Sequence, residues 1–165
     1  DGPGTDARLR ELVTCAVARH VGNQFEWVTH APMAEKLGVA PATIESLRVG
    51  ARPTGLPDDE ALALDFANEV LVRNGASEPT YNAAVARFGE QGVVELTTLI
   101  GYFVMVNWVM NVAHTCARPA PGVVARPTAP LPRRSWSARS QRAPGPGTSA
   151  CSSSIRRDRC RRLAC

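Results

Sequence analysis

Apolar residues recur at three- and four-residue intervals through most of the first 115 positions. Leu9, Leu12, Val13, Ala16 and Val17 form one such stripe and predict a helix from Asp6 to about His20. Thr5 or Asp6 can cap it, and Gly22 can end it. A second helix is expected from Gln24 to Leu37, stopping near Gly38; Pro32 inside it leaves its end, or a kink, open. A third begins near Pro41 with Ala42, Thr43 and Ile44, and the Gly- and Pro-rich stretch from Val49 to Pro57 reads as a loop. Pro57, Asp58, Asp59 and Glu60 open a fourth helix, with the acids in the first turn where the helix dipole favours them. Leu62, Leu64, Phe66, Val70 and Leu71 supply its apolar side, and Gly75 is its expected end. Ser77 to Thr80 start a fifth helix that ends near Phe88 and Gly89, and a sixth runs from about Glu90 to His114. No stretch alternates with period two over a useful length. The pattern predicts an all-α bundle of about six helices.

One segment tests the distinction between a core helix and a membrane span. Residues 96–113 are mostly apolar and are bracketed by Glu95 and His114. A bilayer crossing needs about 20 apolar residues. Asn107 and Asn111 interrupt the run four residues apart, on one helix face. Two amides there are costly in lipid and satisfiable in a bundle. The segment is therefore expected to be a buried central helix or a subunit interface, with no membrane partner.

Charge divides the chain in two. Residues 1–115 hold 8 basic and 14 acidic residues, a net −6, whereas residues 116–165 hold 11 Arg and one acid, Asp158, a net +10. The whole-chain value of +4 therefore describes neither part. Of the last 50 residues, 36 are Arg, Pro, Ser, Ala or Gly, too few large apolar groups to offset ordering entropy, so disorder is expected from 116 to 165. That tail reads as a basic arm for acidic partners, as a Cys-bearing segment, or as the product of a shifted reading frame near residues 114–120. The frame-shift reading rests on the use of 18 Arg against one Lys, Lys36, which GC-rich coding DNA favours. Nucleic acid is not the expected partner. Cys116, Cys151, Cys160 and Cys165 form no C-x-x-C pair, so no zinc site is expected.

The helical part, expected over 6–115, contains one cysteine, Cys15, which is no disulfide framework. With a polar, helix-breaking start at Asp1 to Asp6 and no secretory pattern, a cytoplasmic location is expected. The candidate chemistry is Glu11, Glu26 and His30, with His20 as an accessory. Glu26 and His30 stand four apart and share a helix face. A carboxylate beside an imidazole orients it and favours its charged form, which makes an acid/base pair. Glu11 can approach that pair across a helix hairpin. The same spacing also suits an ordinary surface pair. Phe25 and Trp27 flank Glu26, and partial burial there would raise its proton affinity. His20 and His114 read as helix-end residues.

The run Glu11-Leu12-Val13, Ala18-Arg19, Phe25-Glu26-Trp27-Val28-Thr29-His30 and Ala34 resembles the carboxymuconolactone decarboxylase family. Gly38 with Ile44, Phe66-Ala67, Thr80-Tyr81, Phe88-Gly89, Val93 to Leu96 and Ile100-Gly101-Tyr102 extend the likeness over residues 6–114. The resemblance implies an all-helical, alkylhydroperoxidase D-like fold and a homo-oligomer, a trimer or hexamer. The family's peroxidase branch has a glutamate, then a C-x-H-C motif, then a histidine. With that glutamate on Glu11, its cysteines fall on Asn23 and Glu26, its middle histidine on Phe25 and its last on His30. Both redox cysteines are thus absent, although peroxiredoxin activity is attached to the family as a whole. The Phe-Glu-Trp-x-x-His form is that of the decarboxylase branch, which converts a carboxylated lactone to an enol-lactone and carbon dioxide. The resemblance implies catalytic roles for Glu11, Glu26 and His30, with His30 and Glu26 handling the proton and Glu11 orienting or relaying. It needs no metal or organic cofactor. Arg19, Trp27 and Arg48 are the substrate-binding candidates, the two arginines for an anionic small molecule. Related chains carry a further helical segment before the position of Glu11, so a chain lacking that segment is expected. The alternatives are a family enzyme of other substrate, peroxidase-related or acting on another small acid or lactone, and a non-catalytic oligomeric protein.

Overall fold

The computed structural model describes residues 6–116. They form α1 (Ala7–Val21), α2 (Gln24–Lys36), α3 (Pro41–Val49), α4 (Asp58–Arg73) and α5 (Glu78–Val112), with no strand among the described residues. The expected tail from 117 onward lies outside the described residues, as do Asp1 to Thr5.

Local chemistry sets most of the helix ends. Asp6 caps α1 by accepting a hydrogen bond from the Leu9 N–H at 2.7 Å. Gly22 closes it in the left-handed region, at φ 75°, with its N–H on the Ala18 carbonyl at 2.9 Å. Asn23 then caps α2, accepting from the Glu26 N–H at 2.9 Å. α2 runs through Pro32 and ends one turn later, so the lost proline N–H costs a single bond near the helix end. Pro41 sits in the first turn of α3, where its missing N–H has no intrahelical partner to lose. α4 ends at Asn74 rather than at Gly75: Asn tolerates the left-handed conformation, here φ 58°, and makes the closing bond to Val70. The start of α5 is held by its neighbour. Glu69 of α4 accepts from the Ser77 N–H at 2.6 Å, the Ser77 hydroxyl at 3.2 Å and the Thr80 hydroxyl at 3.0 Å. The bond from the Ser77 N–H is the main force holding the Glu69 carboxyl below its ordinary range.

The fifth and sixth helices expected from the sequence run together as α5, but with a break where the boundary was expected. Gly89 has φ 73° and ψ 168°, a conformation essentially confined to glycine. The added Cβ of another residue meets no neighbour, so backbone strain alone, of about 1–3 kcal/mol, opposes substitution there.

The core sits on both sides of α1. One cluster joins Leu12, Cys15 and Ala16 of α1 to Trp27, Ala31 and Ala34 of α2, Ile44 and Leu47 of α3, and Leu64 of α4. The other joins Leu9, Val13 and Val17 to Phe66 and Ala67 of α4 and to Phe88, Leu96 and Ile100 of α5. The apolar stripe of α1 is therefore two faces wide, and α1 packs against all four other helices. Leu12, Val13 and Val17 are fully buried, each stabilising the fold by roughly 1.5–3 kcal/mol. An ion pair between Arg8 and Glu60 at 2.6 Å ties the starts of α1 and α4; burial pushes the Glu60 carboxyl up and Arg8 pulls it back down.

The central helix is α1, and not the apolar segment 96–113. Leu96, Ile100 and Asn107 of that segment are buried, but Tyr102, Met105, Trp108, Val109 and Val112 are 53–80% exposed. Their spacing of three and four residues lines them along one unpacked face. α5 has the length and composition to cross a bilayer, and 22% of its apolar window is buried within the fold.

Candidate active site

Turn chemistry between α1 and α2 builds the site. Gly22 reverses the chain, and Asn23 starts α2 at once, so α2 runs back along α1. Glu26 falls in the first turn of α2 and His30 one turn later, on the same side. Glu11 lies nearly three turns before the end of α1, at the level of His30. The His30 Nδ1 is 2.7 Å from Glu11 Oε2, and its Nε2 is 3.2 Å from Glu26 Oε2. The imidazole thus bridges two carboxylates on different helices. Their side chains are 15%, 17% and 5% exposed for His30, Glu11 and Glu26, so solvent reaches the cluster from the His30 and Glu11 side. The Phe103 ring of α5 stands nearly perpendicular to the His30 ring with centroids 5.2 Å apart, and Tyr102 meets Phe103 in the same T-shaped way at 5.3 Å.

The Nδ1–Glu11 approach is a hydrogen bond that shares one proton, and the Nε2–Glu26 approach is an ion-pair distance. An imidazolium between two carboxylates suits both contacts, and so does a neutral imidazole beside one protonated carboxyl. The two forms differ by the position of one proton, which is what a general acid/base centre needs.

The other candidates sit elsewhere. The Arg19 Nε donates to the Arg48 carbonyl at 3.0 Å, pinning α1 to the end of α3. The Arg48 guanidinium forms a two-pronged pair with Glu45 at 2.6 and 2.7 Å. Trp27 is 3% exposed and packs within the first core cluster. His20, in the last turn of α1, has its proton affinity lowered by burial and by the neighbouring Arg19 charge. It lines a separate cleft of about 970 Å³ with Val70, Asn74, Trp108, Asn111 and His114. No group of three or more metal-ligating side chains occurs among the described residues.

Cys15 lies one turn after Glu11 and is fully buried. Burial, then the charges of Glu11 and Glu35, push its thiol far up, which disfavours a thiolate there. Sequence reasoning missed Asn23, Phe103 and Asn107 as parts of this site. Asn23 left a faint signal, a capping residue directly after Gly22, and Asn107 stood out as an amide in an apolar run. Phe103 left none, because its approach to His30 is set by tertiary packing.

Residues 2–69 match the model of the carboxymuconolactone decarboxylase family. The match spans α1 to α3, most of α4 and all three members of the His30 cluster. No curated protein and no solved structure matches the chain.

Proposed function

Residues 2–69 form a carboxymuconolactone decarboxylase family domain, a family that includes decarboxylases and alkylhydroperoxidases, and from this we propose that the chain is a carboxy-lyase acting on a small carboxylated lactone. The observation that carries the reading is the His30 imidazole held between Glu11 and Glu26. Cleavage of the bond to the leaving carboxylate releases carbon dioxide and leaves an electron pair on carbon. The lactone carbonyl delocalises that pair if a donor faces it. A proton from the His30 centre then goes to the ring carbon next to the carbonyl, leaving the double bond at the carbon that lost carbon dioxide and so giving the enol-lactone, and the centre regains a proton from solvent. Glu26 and His30 handle the proton; Glu11 holds the ring and relays.

The peroxidase alternative needs a thiolate. The burial of Cys15 and its raised proton affinity weigh against it. Carbon dioxide release from 4-carboxymuconolactone tests the proposal directly. Cys15→Ala is expected to keep turnover within about twofold of the parent chain, since no step uses the sulfur. Loss of turnover in a folded Cys15→Ala protein, or peroxide consumption that depends on Cys15, would move the assignment to thiol chemistry.

The proposal includes a homo-oligomer, a trimer or hexamer. The exposed stripe of Tyr102, Met105, Trp108, Val109 and Val112 supports it, because a patch of that kind on a soluble chain marks an interaction surface. Light scattering on detergent-free protein is expected to give a multiple of the chain mass, and Trp108→Glu is expected to lower it. A monomer at micromolar concentration would refute this part.

A further inference from the structure

We infer that Asn23 is a positioning residue for the Glu26–His30 pair, locking the start of α2 onto α5 with one side chain. The inference rests on the acid/base reading of the cluster proposed above. Asn23 is 2% exposed and uses both ends of its amide. Its Oδ1 accepts from the Glu26 N–H at 2.9 Å, and its Nδ2 donates to the Asn107 carbonyl, 84 residues away, at 3.1 Å. Asn107 is fully buried, and its own Nδ2 donates back to the Phe103 carbonyl. Phe103 makes a T-shaped ring contact with His30.

These contacts close a loop: Glu26, Asn23, Asn107, Phe103, His30 and back to Glu26. A rotation of α2 about its axis would carry Glu26 and His30 together, so their i, i+4 spacing cannot resist it. Glu11 on α1 and Phe103 on α5 sense that rotation from outside the helix. The Asn23 link to α5 opposes it at the helix start, where Glu26 sits. The buried Asn107 Oδ1 has no hydrogen-bond partner, a state that costs stability. An apolar residue at 107 would avoid that cost but would lose the bond that ties this turn of α5 to Phe103. A cap alone does not require asparagine, because serine and aspartate cap equally well. The second bond does require it: among the good capping side chains, the amide alone joins an acceptor for its own helix to an N–H₂ donor for another.

Asn23→Ser separates the two roles, since it keeps a capping oxygen and removes the donor to α5. The readout is the pair of His30 imidazole ¹⁵N shifts, assigned with His30→Gln and measured without substrate. A change in those shifts at unchanged helix content is expected, together with a fall in turnover of up to roughly 100-fold, the scale of a 1 Å misplacement. A purely structural role would lower the melting temperature and leave the His30 shifts of the folded protein where they are; that result overturns the inference. In the parent chain, which carries no folding risk, the Asn23 side-chain amide protons are expected to exchange slowly with solvent. Fast exchange of both overturns the inference regardless of how the variant behaves. A chain that releases no carbon dioxide but shows the shift change removes the lyase reading and leaves the positioning role standing.

Discussion

His30→Ala is expected to lower the rate of carbon dioxide release by about 100- to 10,000-fold, the range typical of removing a positioned proton-transfer group. The imidazole is the only member of the cluster that touches both carboxylates, at 2.7 Å to Glu11 and 3.2 Å to Glu26. Without it, neither carboxylate has a path to the other. Glu26→Gln and Glu11→Gln are informative partners, because glutamine keeps the shape and removes the exchangeable carboxyl proton. Glu26→Gln is expected to approach the His30→Ala effect, and Glu11→Gln to fall short of it, since Glu11 orients the ring rather than delivering the proton. Initial rates with 4-carboxymuconolactone decide this, with circular dichroism confirming helix content. A His30→Ala protein that is folded and within tenfold of the parent rate would end the acid/base reading of this site.

Trp27→Ala is expected to destabilise the chain by about 3–5 kcal/mol, the usual cost of truncating a buried aromatic residue. Small domains are stable by only about 5–15 kcal/mol, so the loss is a large part of the total. It corresponds to a fall in melting temperature on the order of 15–25 °C for a domain of this size. Trp27→Phe leaves a smaller void and is expected to cost less. The physical reason is the place of the indole in the fold: 3% exposed, among Leu12, Ala31, Ile44 and Leu47, at the junction of α1, α2 and α3. This prediction opposes the expectation, read from the Phe-Glu-Trp-x-x-His run, that Trp27 contacts substrate. Unchanged melting temperature with a raised KM would restore the substrate role. A large thermal shift places Trp27 in the support of the helix that carries Glu26 and His30.

The first prediction shows where sequence reasoning was strong. The Glu26–His30 pairing needed only the helical repeat, because side chains four apart share a face whatever the rest of the chain does. The two ends of α1 and the start of α3 followed from residues whose effect is local: Asp6, Gly22 and Pro41. The break at Gly89 was legible because glycine alone suits that backbone conformation. Local rules failed where the competitor was also local, at the end of α4. There Asn74 takes the left-handed position one residue before the glycine that a simple preference selects.

Packing decided the rest. Hydrophobic spacing marks which residues seek burial, but it does not say how many neighbours a helix has, so the stripe of α1 became the centre of the fold and the longer apolar run of α5 stayed half uncovered. Arg19 and Arg48 illustrate the same limit for charge. Their sequence context is silent on whether a guanidinium faces solvent, substrate or a neighbouring carbonyl, and the fold gives them to the α1–α3 contact and to Glu45. By itself the sequence determined an all-helical chain with an imidazole and a carboxylate on one face of α2, because capping and the 3.6-residue repeat act within a few residues. Only the tertiary structure decided that Glu11 of α1 completes the bridge across His30 and that Phe103 and Asn107 of α5 close around it. Those contacts join residues 19 to 84 positions apart, where relative placement depends on how whole helices pack.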